Sequence, residues 1–399
     1  MSGLLQDISR RLYRSVVSLL VAPLYVLVMV PRFWATRKLG VGFFESKDRS
    51  HLYKKLFSED NEYGHHRYID IGNGKKFHVV ENGNTDGPLV FFLHGFPQCW
   101  YTWRNQLVGL KDKGYHLVAM DMRGYGSSYR AKNRLDYNMS EFKSDVRGVI
   151  EALQKDKPAA SRKVTLVAHD WGAIVGWHVL ADSWKLEKTG QGYINKGVII
   201  NIGHPLIVTA NIAKPFKEYI TSHWALELVK KPRTTIATLR AAFASVFAQL
   251  LKSYYVYIFQ LPTPIARTLI SIRDWISISS LVKAIKINKN EDVDIFKAAA
   301  SYTLPEDSTF ALDHAVEYYR HGAVMGEWKV GNSEDGIVEY PVLVLWGEED
   351  LALDMKLNLN NTESRVPNVE IKTYPNVGHF LPEEIPDIAN AEILKHVSK

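Results

Sequence analysis

Residues 167–172 read Val-Ala-His-Asp-Trp-Gly, and how these six are read decides the rest of the chain. Residues 163–169 (KVTLVAH) form an apolar run of the length and composition of a short buried strand, and residues 172–177 (GAIVGW) read as the start of a helix. A small residue, any residue, a nucleophile, any residue and a glycine, set between a strand and a helix, describe a sharp bend that lifts the central side chain clear of the sheet. The central position, where serine is the commoner nucleophile, holds Asp170.

Working outward, apolar strand-length runs alternate with helix-length segments. The strands are RYIDI and KKFHVVE, joined across the hairpin signal Asn73-Gly74, then PLVFFLHG, HLVAMD, KVTLVAH, KGVIINI, PVLVLWG and VEIKTYP. That alternation predicts an α/β fold with a mainly parallel sheet covered by helices on both faces. It stops near residue 205 and resumes at Pro341; the stretch between is helical and aromatic in pattern (FASVFAQLLKSYYVYIFQLP, DHAVEYYRHGAV). A helical insertion between two parts of one sheet is expected to form a lid over the carboxyl edge of the strands, where α/β proteins place their sites. The organisation read from the chain is an N-terminal segment with its flanks (1–40), a linker (41–65), a first part of the core (66–205), a helical cap (206–335) and a second part of the core (336–399).

The 399 residues are 46% hydrophobic and 23% charged, an ordinary globular composition. Net charge is +6, yet residues 1–60 carry ten Lys or Arg against five Asp or Glu, so the remainder is close to neutral. A basic face for nucleic acid is not indicated. One cysteine, Cys99, rules out an intrachain disulfide framework. The N-terminal charge brackets residues 15–31 (SVVSLLVAPLYVLVMVP), which contain no charged side chain: Arg10, Arg11 and Arg14 precede them, Arg32, Arg37 and Lys38 follow. Seventeen helical residues span about 25 Å, and basic side chains at both ends make up the difference to a hydrocarbon layer of about 30 Å. The expectation is an uncleaved single-pass membrane-anchor helix in contact with lipid, in the endoplasmic reticulum, with an in-plane or buried helix bent at Pro23 and a cleaved signal peptide as the alternatives; basic flanks on both sides leave its orientation open. Asn138-Met139-Ser140 and Asn360-Asn361-Thr362 match glycosylation sequons, a weak signal.

Two further residues fall at strand ends in the order nucleophile, acid, base. Asp350 follows PVLVLWGEE, and His379 stands in NVGHF just beyond the last strand. Taken singly, an aspartate at a strand end is most often a helix cap and such a histidine a hydrogen-bonded core residue; the common order and strand context give them a joint meaning. The loop HGFP, residues 94–97, leaves the strand LVFFL, and the backbone amides of Phe96 and Trp171 are placed to point at one spot as an oxyanion hole. Pro97 after an aromatic in a tight turn is a candidate for a cis peptide bond.

The set HGFPQCWYTWRNQ, DMRGYGSS, AHDWGA, WGEEDL and VGHF, in this order over residues 60–399, resembles the epoxide hydrolases of the α/β-hydrolase fold, and the N-terminal segment resembles the anchor of membrane-bound animal members. The resemblance implies two steps: Asp170 attacks an epoxide carbon, and water activated by His379, itself oriented by Asp350, hydrolyses the resulting ester. Aspartate suits that task, because displacement at saturated carbon needs a nucleophile already charged near neutral pH. The resemblance also implies two cap tyrosines that protonate the opened ring. SYYVYIFQLP selects Tyr255 and EYYRH selects Tyr319, with Tyr254, Tyr257 and Tyr318 as rivals. Where the family often has Gly-Pro before the second tyrosine, His314-Ala315 stands here. Trp171, Trp100 and Phe259 are expected to line an apolar passage for a lipophilic epoxide such as an epoxy fatty acid. No metal or organic cofactor is implied. A haloalkane dehalogenase shares the nucleophile and histidine, but Phe96 with the tyrosine pair favours the epoxide. An inactive fold relative is the remaining alternative.

Overall fold

The computed structural model describes residues 47–158, 162, 164–221, 230–268, 270–271, 290–304, 309–322, 326, 328 and 334–399. The expected anchor at residues 15–31 lies outside them. Among the described residues no helix is long and apolar enough to cross a membrane.

Among the described residues eight strands make one sheet: β1 (His65–Asp70), β2 (Lys76–Gly83), β3 (Leu89–Leu93), β4 (His116–Met120), β5 (Val164–His169), β6 (Ile194–Ile200), β7 (Val342–Gly347) and β8 (Val369–Tyr374). Their spatial order is β1-β2-β4-β3-β5-β6-β7-β8. The β1–β2 and β2–β4 pairs are antiparallel and all others parallel. Every residue of β3, β4, β5 and β7 is buried, as parallel strands covered on both faces must be. Side chains alternate between the two faces. Phe91, Leu93, Leu166 and Ala168 meet Phe142, Val146 and Trp177 on one side; Val90, Phe92, Val167 and Leu345 meet Trp103, Leu107 and Ile393 on the other.

The helices, in chain order, are α1 (Tyr53–Phe57), α2 (Arg104–Leu110), α3 (Met139–Gln154), α4 (Trp171–Glu187), α5 (Pro205–Thr221), α6 (Pro232–Lys252), α7 (Tyr254–Phe259), α8 (Asn290–Ser301), α9 (Ala311–Ala315), α10 (Glu317–His321), α11 (Met355–Leu359), α12 (Leu381–Glu384) and α13 (Pro386–Val397). Within the stretch read as a linker, α1 forms and buries Leu56 and Phe57. Helices α5 to α10 fill the interval between β6 and β7, as the sequence pattern requires of an insertion.

The chain runs from β3 to its neighbour β4 and later returns to β5 on the other flank of β3. This reversal of direction in the strand order opens a crevice at the carboxyl edge. The register pairs Leu93 with Ala168, so the HGFP loop and Asp170 leave the sheet side by side. Gly172 permits that closeness: a Cβ there would lie 2.4 Å from the His94 carbonyl oxygen and 2.5 Å from that of Leu93.

Candidate active site

Asp170 occupies the bend between β5 and α4 with φ 51° and ψ −125°, a left-handed conformation that costs a non-glycine residue roughly 1–3 kcal/mol and that the surrounding hydrogen bonds must hold. Its carbonyl accepts from the amides of Ala173 and Ile174 at 2.9 and 3.0 Å. The carboxylate sits at the amino end of the 17-residue α4, where the helix dipole favours negative charge. The Phe96 amide donates to Oδ1 at 2.6 Å, and the Phe96–Pro97 peptide is cis. Trp171, the other expected oxyanion residue, is the first residue of α4, where amides have no carbonyl partner within the helix.

Asp350 and His379 converge on the same point. His379 Nδ1 lies 2.7 Å from Asp350 Oδ2, and Nε2 lies 3.4 Å from Asp170 Oδ2. Asp350 is itself fixed: Oδ1 accepts from the amides of Ala352 (2.7 Å) and Leu353 (2.9 Å), and Oδ2 accepts from the Asn201 side chain at 2.8 Å. Burial opposes charge on His379, but the Asp350 carboxylate, the hydrogen bond to Asp170 and the Asp170 charge outweigh it and push the imidazole pKa up to about 10. Burial likewise opposes charge on Asp170, and the hydrogen bond and charge of His379 overcome it, holding the carboxyl below the usual carboxylate value. Asp350 is lowered in the same way, with His379 the main opponent of burial. The site at rest is therefore an imidazolium between two carboxylates.

Aromatic side chains roof this group. Phe96 is in edge or tilted contact with Tyr319 (5.1 Å between ring centroids) and Phe259 (5.0 Å). Tyr319 also meets Trp171 at 5.1 Å and Tyr255 at 5.9 Å. The Tyr319 phenol is pushed up first by burial, then by the neighbouring Tyr255 and Asp170, so it keeps its proton. Its rival Tyr318 is committed elsewhere: fully buried, it stacks on Phe142 and donates to the Arg123 carbonyl at 2.8 Å. The side chains of Tyr254 and Tyr257 lie outside those described. His314-Ala315 end α9, and α10 follows after Val316 alone. The His314 ring holds Tyr137 and Thr309 through its two nitrogens, at 2.7 Å each.

Trp100 is not gathered into this group. Its indole N–H donates to the Leu56 carbonyl at 2.7 Å and its ring packs on Tyr63, His66 and Tyr101, so it joins α1 to the core instead of lining the passage. Its aromatic character gave no means of telling wall from interior.

Four supports went unread in the sequence. Asn201 leaves β6 with φ 52°, its side chain accepting from the Gly347 amide (3.3 Å) while it donates to Asp350. His169 donates through Nε2 to the His379 carbonyl at 2.8 Å; burial, then the charge of His379, lowers its pKa to about 4, so it is neutral. Arg320 ties the two tyrosine helices together, donating to the carbonyls of Phe259 (2.6 Å) and Leu261, to Thr263 Oγ1 (2.6 Å) and to Glu317 (2.8 Å). Glu383, on α12 just after His379, accepts from Gln98, Thr102 and Arg104. Arg104 reaches on to Asp292 of α8 at 3.4 Å. Breaking such a buried pair by removing one partner costs about 3–5 kcal/mol.

Residues 88–386, more than half of the chain, match the family described as alpha/beta hydrolase fold. The chain is similar to Epoxide hydrolase 1 of Caenorhabditis elegans, with 29% identity over 397 residues spanning 97% of this chain and 82% of that protein. It is similar also to Epoxide hydrolase 4 of Homo sapiens, with 26% identity over 372 residues, 90% of this chain and 85% of that one. Its fold is similar to the crystal structure of Bacillus megaterium epoxide hydrolase in complex with an inhibitor, at a TM-score of 0.61 and 23% identity over 84% of this chain and 100% of that one. Strand order, bend and family match agree: the chain belongs to the alpha/beta hydrolase fold family.

Proposed function

We propose that the protein hydrolyses lipophilic epoxides to vicinal diols through an ester on Asp170. The observation that carries this is the carboxylate at the bend, held at Oδ1 by the Phe96 amide, with Oδ2 turned to His379, and close enough to Tyr319, the neighbour of Tyr255, for its charge to raise that phenol. The similarity to epoxide hydrolases supports the same reading.

In the first step Asp170 Oδ2 attacks a ring carbon, the C–O bond breaks, and a tyrosine proton passes to the departing alkoxide. Ester formation removes the charge of Asp170. That charge is one of the causes holding both the Tyr319 phenol and the His379 imidazolium up, so both pKa values fall as the first step ends. The imidazolium then gives up a proton that restores the tyrosine and becomes the base the second step needs. His379 takes a proton from water, the hydroxide attacks the Asp170 carbonyl carbon, and the Phe96 and Trp171 amides stabilise the oxyanion. The intermediate collapses by breaking the bond to the diol oxygen, the proton of the acid so formed passes to that alkoxide, and the diol leaves with the carboxylate and the imidazolium restored. General-base help of this kind is worth about 10²–10⁴ in rate. The uncharged run at residues 15–31 holds the enzyme at a membrane in this proposal, near a substrate that partitions into lipid.

A single turnover with excess enzyme in ¹⁸O-labelled water tests the ester. The first diol should carry unlabelled oxygen from Asp170, and Asp170→Ala should form no diol; label in the first diol, or diol from the variant, refutes the mechanism.

A further inference from the structure

Helix α6 has two unlike faces. One is docked: Val246 is buried, Gln249 donates to the Ala352 carbonyl (2.9 Å) and accepts from the Asp354 amide (2.8 Å), and Lys252 Nζ donates to the carbonyls of Asp350 (2.5 Å) and Leu353 (2.8 Å). The other carries Ile236, Phe247, Leu250 and Leu251, all exposed, with Phe247 63% and Leu251 62% accessible. At about 100° per residue, Ile236, Phe247 and Leu251 fall within roughly 60° of one another around the helix, with Arg233 and Arg240 on the same arc. Leu351, 71% exposed, follows directly on the catalytic acid that Lys252 holds, and so adds to the same end of the helix. Scattered surface leucines need no explanation, but an aligned apolar stripe does.

Charge narrows what covers it. From Leu228 to Ile272 the sequence contains no aspartate or glutamate, whereas Lys230, Lys231, Arg233 and Arg240 are exposed along the helix and at its start. The α6 face, apolar and interspersed with cations, fits the headgroup–acyl boundary of an anionic bilayer, while the exposed Glu348 and Glu349 stand just before Leu351. The chain enters the described structure at a different element of the cap, α8. Residues 1–46, with the uncharged run 15–31, join the described structure at Lys47, beside the cap: Arg49 Nε bonds Asp294 of α8 at 2.9 Å, and Tyr53 packs edge-on against Tyr302 at 4.9 Å.

We propose that the exposed stripe of α6, with Leu351, seats in the surface of an anionic lipid bilayer. Tyr255 follows Leu251 by four residues, so the seated helix leads straight to the site and a lipid-dissolved substrate has a short path to it. Lipid binding by the stripe does not depend on the epoxide reading; only the delivery does.

Cys99 is the sole cysteine and is buried, so Phe247→Cys in the full chain gives one reactive surface thiol for an environment-sensitive dye. The control is Lys188→Cys, exposed at the far end of α4 from the site. With vesicles of phosphatidylcholine plus phosphatidylserine, the dye at 247 should shift to the blue and be quenched by brominated acyl chains, while the dye at 188 should not. Reversing Arg233 and Arg240 to glutamate should weaken the response to phosphatidylserine by about fivefold or more per position. No shift at 247, or equal shifts at 247 and 188, overturns the proposal. So does a dye already blue-shifted without lipid, which would mean that another part of the chain or a second copy covers the stripe. Turnover of a water-soluble epoxide, measured on the same samples, reports the chemistry separately.

Discussion

Replacing Asp170 by asparagine keeps the shape of the bend and removes its charge, which isolates what that charge does to His379. Nε2 stands 3.4 Å from Asp170 Oδ2. At an effective dielectric of about 20, unit charges at that separation attract by about 5 kcal/mol, a change of about 3 to 4 in pKa. His379, now at about 10, should therefore fall close to the ordinary imidazole value of 6.5 in Asp170→Asn. Asp350, 2.7 Å from Nδ1, keeps it from falling further. The sign for stability follows. A raised histidine contributes stability that is complete below the unfolded value and is lost as pH climbs through the folded one, here between 6.5 and about 10. In the variant, with the folded value close to the unfolded one, that pH-dependent loss should largely vanish. Ring ¹⁵N NMR, with His379 assigned by its loss in His379→Gln, measures the first quantity, and urea unfolding across the same pH range measures the second. A His379 that titrates near 10 in both proteins, or near 6.5 in both, would refute the coupling and with it the idea that ester formation releases the base.

The supports of the site should separate the two steps. Asn201→Ala removes a hydrogen bond to a buried charged acceptor, worth about 1.5–3 kcal/mol, and leaves Asp170 untouched. Ester formation should proceed while its hydrolysis slows by about 10- to 100-fold, visible as accumulation of the alkylated protein by mass spectrometry. Arg320→Lys keeps the charge but loses the planar fork that holds the carbonyls of Phe259 and Leu261. Ester formation should slow by about tenfold with hydrolysis of the ester unchanged, as stopped-flow single turnovers would report; equal slowing of both steps would mean that Arg320 merely keeps the cap folded.

What could be read from the residues, and what could not, divides along chain distance. Buried runs such as LVFFL and VLVLWG declared the strands, because a parallel sheet covered on both faces admits little else, and Asp170, Asp350 and His379 announced themselves by standing at strand ends. Asn201 stood at one too, yet nothing in VIINIGHP distinguishes an asparagine that braces a distant carboxylate from one that turns the chain. Arg320 was visible beside Tyr319 in EYYRH, but its partners lie some sixty residues away, at Phe259 and Leu261. Trp100 illustrates the converse: proximity to HGFP along the chain did not carry it to the site, because the turn after Cys99 directs its ring toward α1.

The pairing of Leu93 with Ala168 means that the distance from the Asp170 carboxylate to the Phe96 amide is a property of two adjoining strands and owes nothing to the inserted helices. Evolution is thereby free to rewrite much of the roof, changing which molecules are admitted, without detuning the contact beneath it; laboratory libraries that randomise α6 and α7 while sparing Gln249, Lys252 and Tyr255 should alter selectivity far more readily than they extinguish turnover.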